Sequence, residues 1–93
     1  MPVLSPEAVK SHLAQLPGWQ IEASELVKTF QFKDFPAALA FVNRVGSLAE
    51  QAGHHPDIDI RYNRVRLALI THDAGGLTDK DFDLAGRAQK LVG

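Results

Sequence analysis

Residues 57–72 read Asp57-Ile-Asp-Ile-Arg-Tyr-Asn-Arg-Val-Arg-Leu-Ala-Leu-Ile-Thr-His72, and this stretch decides the fold. Ile58, Ile60 and Tyr62 alternate with Asp57, Asp59 and Arg61. After a turn placed at Asn63-Arg64, Val65, Leu67 and Leu69 alternate with Arg66 and Ala68 up to about His72. A period of two marks strands with one buried face, so the segment predicts a β-hairpin. Upstream, Trp19, Ile21 and Ala23 alternate with Gln20 and Glu22. A turn expected at Ser24-Glu25 then leads into a run that sets Leu26, Phe30 and Phe32 on one face, a second hairpin of the same kind.

Between the hairpins the period changes. From Phe35 to Ala52 apolar residues recur at 35, 38, 39, 42, 45, 46 and 49, the spacing of an amphipathic helix that Asp34 caps and Gly53 ends. Ser5-Pro6-Glu7 opens an earlier helix over about 5–15, which Pro17-Gly18 stops. Thr78-x-x-Asp81 resembles a capping box and starts a last helix. The order is αββαββα, and the expected fold class is α+β, with a four-stranded antiparallel sheet and three helices packed on one face.

Ala37, Phe41, Leu48 and Ala52 widen the apolar arc of the second helix to roughly twice the ~100° that a one-sided surface helix needs. Either the helix is deeply embedded in its own core, or a second face packs against another subunit.

At 93 residues the chain is expected to be a single domain over 1–93, with 45% hydrophobic and 23% charged residues, a composition that excludes disorder and collagen-like repeats. No cysteine is present, which removes disulfides, thiolate nucleophiles and zinc sites built on thiolates. The net charge of -1 lacks the footprint of a nucleic-acid binder. Arg61, Arg64 and Arg66 cluster locally, but Asp57 and Asp59 stand beside them, and no direct nucleic-acid partner is expected. With no basic n-region and no 18-residue apolar stretch, the chain reads as cytoplasmic, without a membrane partner.

Chemistry falls to four histidines and the carboxylates. His54 and His55 lie where the second helix gives way to a strand. Antiparallel pairing brings His72, at the far end of the hairpin, level with the residues just before Asp57. Three imidazoles in one neighbourhood can supply both a donor and an acceptor of protons near neutral pH, which suits an elimination. His12 stands apart on the first helix. A zinc site is a competing reading, in which Glu50 or Asp81 adds an oxygen ligand, although adjacent histidines aim at one ion only across a sharp backbone turn. An interaction module acting through the second helix is a third.

Glu50-Gln-Ala-Gly-His54-His55-Pro56, then five residues to Tyr62, nine more to His72 and eight more to Asp81, resembles the signature of the pterin-4a-carbinolamine dehydratases; Lys33-Asp34-Phe35 and Gly18-Trp19 are similar to that family as well. The likeness runs from about Leu4 to Leu91. It departs from some relatives at Ile58-Asp59-Ile60, where aromatics are common.

The resemblance implies a hydro-lyase, a 4a-hydroxytetrahydrobiopterin dehydratase that yields quinonoid 6,7-dihydrobiopterin and water in pterin recycling. It implies no metal and no cofactor, the pterin being the substrate. It places the catalytic histidines at His54, His55 and His72, and has Gly53, His54, His55, Ile70, Thr71, His72 and Asp73 line the pterin site. Supporting roles fall to Glu50, which would pair with His54, to Asp81, which orients a histidine or only caps the last helix, and to Trp19, which forms part of the pocket wall or of the core. The wide apolar arc of the second helix adds the expectation of a homodimer or homotetramer through that helix. Some members double as dimerisation cofactors of a transcription factor, and relatives lacking the three histidines serve as assembly factors.

Overall fold

A computed structural model describes residues 2–92. The helices are α1 (Pro6–Leu13), α2 (Phe35–Ala52) and α3 (Asp79–Lys90); the strands are β1 (Gln20–Glu22), β2 (Glu25–Gln31), β3 (Asp57–Arg61) and β4 (Arg64–Leu69). The chain order is αββαββα, and the antiparallel sheet runs β1-β2-β4-β3.

Each helix starts where a side chain relieves the unpaired N–H groups of its first turn. Ser5 accepts from the Ala8 N–H at 3.1 Å and Asp34 from the Ala37 N–H at 2.9 Å. Thr78 and Asp81 form a complete capping box on α3. Gly53, at φ 62, closes α2 in the left-handed region that a residue without Cβ enters freely.

One face of the sheet carries Leu26 and Phe30 from β2 and Val65, Leu67 and Leu69 from β4, all buried against α2 and α3 in a single core. Val9 and Leu13 of α1 pack on its margin. Burying each of these leucines contributes about 1.5–3 kcal/mol. From α2 the core takes Ala38, Phe41, Val45 and Ala49. Phe41 meets both Phe30 and Phe32, with ring centroids at 4.7 and 5.0 Å. The apolar arc is therefore two-sided: Phe41 faces inward, whereas Phe35 and Leu39 are left 43% and 41% exposed.

Both hairpin turns lie one residue before their expected places. The register pairs Glu22 with Glu25 and Arg61 with Arg64, so the loops are Ala23-Ser24 and Tyr62-Asn63. Ala23, Ser24 and Tyr62 all have positive φ, at 49°, 69° and 49°. A left-handed conformation costs an L-residue about 1–2 kcal/mol, and a two-residue hairpin loop with both residues in it favours Asn-Gly. Ala23→Asn combined with Ser24→Gly is therefore expected to stabilise the fold by about 1 kcal/mol, raising Tm by roughly 4–8 °C in a thermal melt.

The second hairpin also ends earlier than expected. β4 stops at Leu69, Thr71 forms an isolated bridge with Gly76, and His72 opens a short 3-10 turn, His72–Ala74, instead of continuing the strand.

Candidate active site

An open cleft of about 290 Å³ lies at the end of the β3–β4 hairpin. Gly53, His54 and His55 form one wall and Ile70 through Asp73 the other, with Lys80 of α3 beside them. Two features of the chain bring these walls together. Continuing the register of Asp57 with Ala68 beyond the strand ends sets residues 53–55 opposite 70–72. The left-handed Gly53 then turns the chain off α2, with the His54 N–H bonded back to the Ala49 carbonyl. A Cβ at Gly53 meets nothing within 4 Å, so it is the backbone conformation that glycine serves there.

That turn sends the two adjacent histidines to different partners. His54 is buried, and its Nε2 lies 2.6 Å from Asp81 Oδ1. Asp81 is fully buried at the first turn of α3, and its Oδ2 accepts from the Thr71 hydroxyl and the Thr78 N–H, each at 2.9 Å. The Thr71 and Thr78 hydroxyls meet at 2.8 Å. A buried carboxylate with this many partners keeps neither oxygen orphaned. Asp81 thus belongs to the capping box of α3 and also bonds His54, so capping and a histidine contact are not exclusive.

Glu50 pairs with His55, not with His54. From the last turn of α2 it is His55, past the glycine, that swings back to the Glu50 carboxylate, while His54 turns inward to α3. The side chains of His55 and Glu50 are 62% and 79% exposed, and such surface pairs contribute about 0–1 kcal/mol. Glu50→Ala is accordingly expected to change stability by less than about 0.5 kcal/mol in urea denaturation. His72 is exposed on the opposite wall.

Comparison with known proteins gives the same direction. The family model described as pterin 4 alpha carbinolamine dehydratase matches residues 2–91. The chain belongs to this family. Proteins of Acidobacterium capsulatum and Chloroflexus aurantiacus, each named "Putative pterin-4-alpha-carbinolamine dehydratase", are 59% and 61% identical to it; they cover 99% and 100% of this chain, which spans their full length. A crystal structure of a transcriptional coactivator/pterin dehydratase from Brucella melitensis superposes with a TM-score of 0.94 at 32% identity, covering 98% of this chain and 99% of that one. A pterin dehydratase-like protein identified as a RuBisCO assembly factor in the alpha-carboxysome is similar at a TM-score of 0.66 and 26% identity, over 81% and 87% of the two chains.

Not every residue singled out in the sequence reaches the cleft. Trp19 belongs to the core: it is buried edge-on to Phe30, with its Nε1 donating to Gln89 Oε1 at 3.0 Å, and it is absent from the cleft walls. His12 stacks on Phe82 and lies 3.6 Å from Asp79, and it does not line the cleft that holds the other three histidines. Arg61, Arg64 and Arg66 border a separate depression on the uncovered face of the sheet, where Arg61 meets Asp59 and Arg66 meets Glu22. Among the described residues no group of three or more His, Asp or Glu side chains is arranged to hold a metal ion, and no helix is long and apolar enough to cross a membrane.

Two site residues were missed by sequence reasoning. Thr78 had a signal, its capping box, which reads as local structure and says nothing of a histidine across the fold. Lys80 stood out by nothing except its place beside Asp81.

Proposed function

We propose that this protein dehydrates 4a-hydroxytetrahydrobiopterin to quinonoid 6,7-dihydrobiopterin and water, with His54, His55 and His72 as the acid–base groups. The observation that carries the reading is the convergence of three imidazoles on one open cleft in a chain of this family. The C4a hydroxyl leaves as water once protonated, and loss of the N5 proton frees the electron pair that expels it. One proton is delivered and one removed, so the step balances without an oxidant or a metal. An imidazolium and a neutral imidazole held on facing walls suit this exchange, each at a rate gain of about 10²–10⁴. Following the loss of 4a-hydroxypterin with purified protein tests the assignment; a rate no greater than that in buffer refutes it.

The exposed Phe35 and Leu39 on α2 support an additional reading, assembly of copies of this chain through that helix into a dimer or tetramer. The similarity to a protein described as a transcriptional coactivator keeps a partner-binding role on the same face as the competing function. Leu39→Asp is expected to lower the mass measured by light scattering to that of a monomer, with the fold retained because Leu39 lies outside the buried core. An unchanged mass would remove α2 from the interface. Phe41 cannot serve in this test, since its ring is core.

A further inference from the structure

We infer that Thr71 and Thr78 are positioning residues which, through Asp81, hold His54 as its Nε2–H form and so leave Nδ1 as the nitrogen that exchanges the proton with substrate. The identity of that substrate rests on the dehydratase reading; the ring's proton position does not.

With Asp81 as a carboxylate, the direction of every hydrogen bond in the buried network follows from counting protons. The Thr78 N–H can only donate, so Asp81 Oδ2 accepts from it. Thr78 Oγ1 accepts from the Lys80 N–H at 3.3 Å, and its own proton has the Thr71 hydroxyl as its partner. The Thr71 proton then goes to Asp81 Oδ2. The reverse orientation would leave the Thr78 hydroxyl proton buried without an acceptor, which buried polar groups rarely are. With Oδ2 saturated by two donors, Oδ1 faces His54 Nε2 at 2.6 Å as an acceptor, so the proton between them belongs to the imidazole.

The other ring nitrogen is free to react. Nδ1 has no protein partner among the described residues, and no buried side-chain nitrogen or oxygen there is left unpartnered, so Nδ1 reaches the surface on the side of the cleft that His54 lines. With Nε2 bonded to the carboxylate, Nδ1 is the nitrogen left to meet a substrate. The arrangement also ties the site to the fold: the residue that caps α3 is the one that sets the tautomer. Thr71, one residue before His72, turns its hydroxyl to Asp81, so its part is to hold the carboxylate.

Nitrogen-15 spectra of the histidine rings of the intact protein, recorded through a pH titration, test this directly. The neutral His54 ring is expected to be protonated on Nε2 alone. A neutral ring protonated on Nδ1, or a ring that keeps both protons until the protein unfolds, overturns the inference whether or not the protein turns over a pterin. Thr71→Val, which frees the carboxylate to rotate off Nε2, is expected to mix the two neutral forms and to lower kcat on the order of tenfold, the scale on which loss of an outer hydrogen-bond partner acts, with KM within about twofold. Thr71→Ser, which keeps the hydroxyl, recovers the spectrum and most of the kcat. An unchanged tautomer in Thr71→Val refutes the positioning role. Should that variant not fold, Asp81→Asn replaces it: the amide oxygen must take the Thr71 and Thr78 donors, its NH2 then meets Nε2, and the His54 proton must move to Nδ1. A spectrum without that move is equally fatal.

Discussion

Replacing His55 and His72 together by alanine is expected to reduce the dehydration rate by at least about 10²-fold and up to the ~10⁴ attributed to one positioned acid or base, with little loss of stability. The two belong to opposite walls of the cleft and both are exposed, whereas His54 is buried in a hydrogen-bonded network. Removing the exposed pair therefore separates chemistry from folding. The His55–Glu50 contact is solvated, and surface substitutions of this kind change stability by about 0.5 kcal/mol or less. Circular dichroism and a urea transition like those of the parent, beside a collapsed kcat, are the expected pair of results. A double variant that retains full activity would leave the fold as described and end the histidine mechanism.

The largest effect on stability is expected at Asp81. Its carboxylate has no exposure and joins α3, the 3-10 turn and the end of α2 through Thr78, Thr71 and His54. Asp81→Ala removes half of the capping box and leaves three donors facing a small cavity. Breaking a buried, charge-bearing network of this sort costs about 3–5 kcal/mol, a large share of the ~5–15 kcal/mol that holds a domain folded. The urea midpoint should fall steeply at an unchanged m value. A shift below about 1 kcal/mol would show that the network contributes little beyond an ordinary helix cap. Together with the small change expected for Glu50→Ala, this sets apart two carboxylates that are equally suggestive in sequence.

The order of elements was legible because each is written in a local period. Alternation at 57–61 and 64–69 and the three-and-four spacing of 35–52 depend on which face a side chain takes, and neighbours along the chain decide that. The turns were displaced by one residue because Ala23, Ser24 and Tyr62 adopt left-handed backbone without being glycine or asparagine, so composition carried no mark of it. Trp19 and Phe41 were ambiguous for a different reason. A large apolar side chain at the edge of an arc is turned inward or outward by what packs against it, here Phe30 and Phe32.

By itself the sequence determined the αββαββα order, the family and the gathering of His54, His55 and His72, since hairpin pairing is arithmetic once the strands are known. Only the tertiary structure decided which carboxylate serves which histidine. Glu50 and Asp81 are equally plausible partners on paper; the choice depends on the direction in which the chain leaves Gly53 and on how the first turn of α3 docks beneath it. Those are long-range packing outcomes that no local period encodes. They place Asp81 against His54 in the buried interior and leave Glu50 with His55 in water.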